Sequence, residues 1–267
     1  MESSGLVLNL MALSALVPAA AIGLRKEPAR DVVFWLFLAA AFIGPFLWVV
    51  TEFAAAWRTD LSAALWISIA ATLAVYGFIA AMDREAWRLA PLLTPLMFIV
   101  GLLAFVWSGH PAARPLSPEQ TTWIGIHIAV SVATYAVVTI VAVAGFAGIL
   151  QERALKAKKP TAMTHALPSI AASDEMMMRL LAIAEAILAI GLISGMALNL
   201  KETGNVLSLD HKTVLAITAF AVIAALLVAH RLSGLRGRKA ARWALSAYLI
   251  LTLGYPGVKF VTDVMLS

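Results

Sequence analysis

A chain of 267 residues that is 62% hydrophobic and only 13% charged does not read as a large water-soluble enzyme, and its formal net charge of +5 is carried by a few loops rather than by a basic face, so no nucleic-acid partner is implied. Cysteine is absent, which excludes a disulfide framework, a CxxC redox pair, a thiolate metal site and thioether attachment of a cofactor through this chain.

Eight apolar runs succeed one another, at 5–24, 32–52, 62–82, 90–108, 121–143, 179–200, 213–231 and 243–262. A helix rises about 1.5 Å per residue, so crossing a hydrocarbon core of about 30 Å takes roughly 20 apolar residues. The runs are continuous rather than alternating, and a backbone in lipid must satisfy its own hydrogen bonds, so they are expected to be helices. The expected fold is an all-α polytopic membrane bundle of about eight transmembrane helices, forming a single integral membrane domain over 1–267. The connections after runs 1, 3, 5 and 7 hold 15 of the 20 Lys and Arg residues, from Arg25 to Arg242, whereas those after runs 2, 4 and 6 hold only Arg58, Arg114, Lys201 and Lys212. The positive-inside rule makes the basic connections cytoplasmic and turns both chain ends outward, in a bacterial cytoplasmic (inner) membrane.

The first run resembles a secretory signal at Ala19, Ala20 and Ala21, but Glu2 precedes it and Arg25 and Lys26 follow it, so a retained first helix is expected. Trp48, Trp66, Trp107 and Trp123 fall at expected outer ends and Trp35, Trp87 and Trp243 at inner ends, as aromatic belts do. Pro45, Pro91, Pro95 and Pro256 are expected to kink their helices or open small pockets. Pro111, Pro115 and Pro118 mark the fourth connection as an ordered turn. The fifth run is expected to continue as helix to Leu155, stopped by Pro160, and Ser173 to Met178 reads as an amphipathic lead-in to the sixth.

Polar residues inside the apolar runs carry the functional signal. His127 is followed by Ser131, Thr134 and Tyr135, at helical spacings of four, seven and eight, which places them on one stripe of the fifth run. Such a stripe belongs in the bundle interior or against a cavity, where it either binds a ligand or hydrogen-bonds neighbouring helices. The sixth run carries Gly191, Ser194, Gly195 and Asn199, and Gly191 and Gly195 permit close helix approach. Glu185 is a costly carboxylate within the same run, serving either an inner-end cation or a function. Asp210, His211 and Lys212 cluster where the seventh run begins, with Asp210 suited to an N-cap. His230 ends that run, about 28 Å from His211 along a continuous helix. Two nitrogens on one metal ion, at bonds of about 2 Å each, lie far closer than that. The histidines therefore divide into an outer set of His110, His127 and His211 and an inner His230, with His165 in a solvated loop.

Three passages carry a family resemblance: "WIGIHIAVSVATYA" from Trp123, "GLISGMALN" from Gly191, and the stretch from Leu209 that runs through "GLRGRKA" to "GYPGVKFV". Over about 120–261 the chain resembles the cytochrome c assembly proteins, which include CcsA, CcmC and the HemX-like and YpjD-like branches. The resemblance implies haem as cofactor or cargo, His127 as an outer iron ligand and His230 as an inner, membrane-embedded one. Haem-delivering members carry a tryptophan-rich outer segment ending in "WDPKE", where this chain has "GNVLSLDHKT", and a last outer histidine that this chain lacks. A smaller accessory member of the YpjD-like type fits better, with His211 as a candidate second outer ligand and Ser131 and Tyr135 as residues that tune the iron site.

The expected function is therefore haem binding or handling in cytochrome c-type biogenesis, with the lipid bilayer, haem and other maturation proteins or an apocytochrome as partners and no catalytic role of its own. Two alternatives stay open: a small-molecule permease using the polar stripe and Glu185, and a structural or regulatory subunit of another membrane complex. No nucleophile–base pair or carboxylate cluster with metal spacing suggests an enzyme.

Overall fold

The computed structural model describes residues 2–25, 28–55, 58, 60–108, 118–206 and 210–261. Among these residues the regular structure is helical: α1 (Glu2–Ala20), α2 (Val32–Ala55), α3 (Leu61–Met82), α4 (Ala90–Val106), α5 (Pro118–Ala157), α6 (Ala162–Ala166), α7 (Ile170–Thr203), α8 (His211–Ser233), α9 (Gly237–Thr252) and α10 (Val258–Phe260). Among the described residues seven helical stretches are long and apolar enough to cross a membrane, corresponding to the first seven expected spans. The eighth is built differently. α9 passes through a π-helical turn at Leu253–Gly257, which contains Pro256, before α10. Proline has no amide proton and crowds the preceding turn, and a π turn accommodates both defects.

α5 and α7 are longer than a bilayer requires, at 40 and 34 residues. They rise about 60 and 51 Å. α5 ends at Ala157, just past the expected Leu155, and Lys158 then takes a left-handed conformation (φ 52°). His110, Pro111 and Pro115 lie outside the described residues. Pro118, expected in a turn, instead opens α5, where its missing N–H costs nothing. Pro91 likewise sits in the first turn of α4 rather than at a kink, while Pro45 and Pro95 lie inside α2 and α4.

Where the sequence suggests one integral membrane domain, the contacts gather into two compact units: Met1–Pro115 with Ile149–Ala172, and Leu116–Gly148 with Ser173–Ser267. In the first unit α1 packs on α2 and α4, α2 on α3, and α3 on α4, closing a ring of four helices. Small residues set the approach. A Cβ on Gly44 would stand 2.4 Å from Ala15 Cβ and 3.3 Å from the carbonyl oxygen of Ala12. Interhelical hydrogen bonds add directionality: Ser62 donates to the Ala104 carbonyl (2.8 Å), Thr94 to that of Ala19 (2.8 Å), and Trp66 Nε1 to Asn9 Oδ1 (2.8 Å).

Those bonds correct one expectation. Trp48 and Trp66 are fully buried, not belt residues, with their rings 5.8 Å apart. Arg58 lies over the Trp48 ring and is paired with Glu52 and with Asp60 (2.7 Å), so a charged cluster covers the buried indoles. Burial weakens the Arg58 charge, but the two carboxylates more than restore it and raise its pKa. Trp123 and Trp243 are about half exposed, as belt residues are.

In the second unit α8 packs on α9 and its π turn. α5, α7 and α9 meet at Gly145, where an added Cβ would lie 3.0 Å from Met177 Sδ and 3.3 Å from Ala241 Cβ. The backbone N–H of Gly237 donates to Asp174 at 2.8 Å, tying the start of α9 to the beginning of α7.

Candidate functional site

The polar stripe of α5 faces a cavity of about 380 Å³ within the second unit, enclosed by α5, α7, α8 and the π turn. Its volume is in the lower part of the range usual for small-molecule sites, roughly 300–1,000 Å³. Leu188, Leu192, Met196, Ile217 and Leu251 make much of the wall apolar, and His127 is the imidazole it contains.

His127 is positioned by α7. Its Nδ1 lies 2.9 Å from Ser194 Oγ, and the Ser194 hydroxyl donates its proton to the Gly191 carbonyl at 2.9 Å. Having spent its proton on Gly191, Ser194 Oγ accepts from His127 Nδ1–H. In the neutral imidazole this arrangement puts the proton on Nδ1 and leaves the Nε2 lone pair for a ligand. Gly195 provides the space: a Cβ there would lie 3.0 Å from His127 Cε1. The sequence marks Gly191 and Gly195 as helix-approach positions, and Gly195 in fact admits a ring. Ser194, present in the sequence pattern of the sixth run without a role assigned to it, is the ring's partner. Its signal was its place beside Gly195, one turn above Gly191.

The other stripe residues act differently from expectation. The Ser131 hydroxyl donates to the His127 carbonyl (2.8 Å) and that of Thr134 to the Val130 carbonyl (2.9 Å), so both are turned back on their own helix. Ser131 thus lines the cavity without touching the imidazole ring, as the partner of that ring is Ser194. Tyr135 also lines it, with its hydroxyl 3.4 Å from Thr252 Oγ1 and its ring near Tyr248 (5.8 Å, stacked) and Tyr255 (5.9 Å). Thr252 donates to the Tyr248 carbonyl, which makes Tyr135 the donor of the longer bond.

The remaining candidates separate. Lys212, Thr213, Ala216 and Ile217 face the cavity from α8. At about 100° per residue they occupy one side of that helix, and His211 falls on the opposite side. His211 is exposed and does not line the cavity. As a second ligand beside His127 it is misplaced by the helix's own geometry. His230, half-buried in the last turn of α8, has Nδ1 2.9 Å from the Leu235 carbonyl oxygen, so Nδ1–H donates to that carbonyl. It too is absent from the cavity lining. Asp210 caps α8, accepting from Thr213 N–H at 2.7 Å, as expected. Burial opposes its ionisation, but the Thr213 hydrogen bonds and the charges of Lys212 and His211 outweigh that and lower its pKa.

Glu185 lies one turn before Leu188 on the cavity-facing side of α7. Both carboxyl oxygens are buried and have no hydrogen-bond partner among the described residues, so the inner-end cation expected as one of its two explanations is not in place. Among the described residues no three His, Cys, Asp or Glu side chains converge as for a metal ion. A single free imidazole nitrogen in an apolar cavity suits a ligand that brings most of its own coordination, such as an iron tetrapyrrole.

The sequence model of the family described as "Cytochrome C assembly protein" matches residues 32–266, so the likeness extends well before 120 and takes in α2 to α4. The chain is 48% identical over 270 residues to the "Uncharacterized 28.8 kDa protein in nifR3-like 5'region" of Azospirillum brasilense, covering 99% of this chain and 100% of that one. No solved structure matches.

Proposed function

The chain belongs to the cytochrome c assembly protein family, with a role in cytochrome c biogenesis as a multi-pass membrane protein, and within that role we propose that it binds haem through His127. What supports this reading is the Ser194 bond, which in the neutral imidazole leaves the His127 Nε2 lone pair available at a largely apolar cavity. The residues fit the group. Apolar residues of α7 and α8 would hold the group, His127 would supply a nitrogen ligand to its iron, and Tyr135 and Tyr255 would add aromatic surface. Bound haem supplies the iron centre that cytochrome c maturation requires.

The protein's own part is to hold and orient. Ser194 partners Nδ1, Gly195 lets the imidazole lie against α7, and the hydroxyls of Ser131 and Thr134 spend their protons on carbonyls of their own helix. We read this as binding rather than catalysis, in an accessory member of the family residing in a bacterial inner membrane. Other maturation proteins or an apocytochrome would be its partners. His230, whose Nδ1 is engaged by the Leu235 carbonyl, would act separately at the basic end of α8.

Detergent-solubilised protein titrated with haem is expected to develop a Soret band that His127→Ala abolishes and His211→Ala leaves in place. No Soret band in the wild type, or an unchanged one in His127→Ala, would reject the proposal.

A further inference from the structure

A second cavity, of about 730 Å³, lies wholly within the first unit, on the side that the charge bias assigns to the cytoplasm. It is framed by the short turn before α4, the C-terminal turn of α5, α6 and the start of α7. Its walls are fixed before any ligand arrives. Gln151 Nε2 donates to the carbonyls of Thr164 (2.7 Å), Leu167 (3.3 Å) and Pro168 (3.1 Å), drawing the connection from α5 to α7 into a closed loop. A capping box between Thr161 and Thr164 sets α6 within that loop.

Two cations face this space. Arg88 has Glu85 at 3.4 Å and the His165 carbonyl at 3.5 Å as its polar contacts, lies over the Trp87 ring at 5.2 Å from its centroid, and keeps a third of its side chain exposed. Lys158 has no ion-pair partner among the described residues and carries the left-handed backbone of the α5 C-terminus. Glycine is the residue that this conformation favours. A lysine there accepts backbone strain and brings an ammonium group to the cavity wall. Leu155, 70% exposed, and Pro160 form an apolar shoulder beside these charges.

We propose that this cavity binds a phosphate group, the head of an anionic phospholipid, between Arg88 and Lys158. Guanidinium and ammonium are the usual phosphate partners, and the apolar shoulder suits the start of an acyl chain. A soluble phosphate would use the same two cations without the shoulder, and the test separates the two sources.

The whole protein in neutral detergent is offered phosphatidylglycerol, phosphatidylcholine or inorganic phosphate, with retained lipid read by native mass spectrometry and unfolding temperature read in parallel. Selective retention of phosphatidylglycerol is expected, reduced at least tenfold in Arg88→Gln/Lys158→Gln and unchanged in Arg231→Gln, an exposed cation outside the cavity. Lys158→Gly is the sharper variant. It removes the ammonium and relieves the backbone, so retention falls while the lipid-free unfolding temperature holds or rises. A phosphate response that requires both cations, without lipid selectivity, would assign the site to soluble phosphate and overturn the lipid assignment. Equal losses in Arg231→Gln, or no loss in Lys158→Gly, would overturn the site itself.

Discussion

A histidine buried in a membrane helix becomes a ligand only when something else holds its proton. In this protein Ser194 Oγ lies 2.9 Å from His127 Nδ1 with its own proton directed to the Gly191 carbonyl, the arrangement that the proposed haem ligation requires. Ser194→Ala is expected to free the imidazole to change tautomer and rotate. Loss of a partner behind a ligating histidine typically weakens binding roughly 10–100-fold. A haem titration followed at the Soret band measures this, and an affinity equal to wild type would remove Ser194 from the argument. Gly195 belongs to the same device, since any Cβ there meets the ring edge.

Asp210 supplies a pH-dependent term at this scale. Its folded pKa is lowered, so its contribution to stability is complete above the unfolded value of about 3.9 and is lost as pH falls through the lower folded value. Asp210→Asn keeps an N-cap acceptor but does not titrate. Thermal midpoints compared at pH 6 and at pH values below 4 should fall more steeply in the wild type than in that variant. Parallel profiles would show that the charge contributes nothing.

At the scale of elements, helix approach is set by single small residues. Gly44 brings α2 against α1 so closely that a side chain would meet both Ala15 and the Ala12 backbone. Overpacking of this kind costs about 1–3 kcal/mol, and Gly44→Leu is expected to reach the upper part of that range because a carbonyl cannot step aside. Chemical denaturation in mixed micelles provides the measurement, and Gly5→Leu, at an open position, is the control. The π turn at Leu253–Gly257 does the opposite. It widens the helix and lets Gly254 and Tyr255 line the cavity, which a regular helix through Pro256 would not permit.

At the scale of the whole molecule, the charge distribution makes a prediction about sidedness. The chain has no cysteine, so single cysteines can be introduced as reporters without a background. Lys201→Cys is expected to react with an impermeant thiol reagent added outside intact cells, and Lys239→Cys only after lysis. The reverse pattern would invert the topology and place His127 near the cytoplasm.

Much of this was legible in the chain itself. Continuous apolar runs of about 20 residues dictate membrane helices, because lipid offers the backbone no other partner. The 3.6-residue period put His127, Ser131, Thr134 and Tyr135 on one face, and the cavity lies there. The capping role of Asp210 was equally local. The reading failed where a side chain's direction depends on a neighbour. His211 looked like a partner for His127 by proximity to the same end, yet its position on α8 turns it away. Trp48 and Trp66 had belt positions in sequence but were drawn inside by Asn9 and by each other.

Periodicity and charge alone determined that this is a helical membrane protein with a polar stripe on its fifth span, since both follow from covalent order and solvent chemistry. Which nitrogen of His127 stays free, which glycine makes room for it and which nearby histidine is excluded were decided only when α5, α7 and α8 packed together. Those outcomes depend on contacts between residues 67 and more positions apart, and no local pattern encodes them.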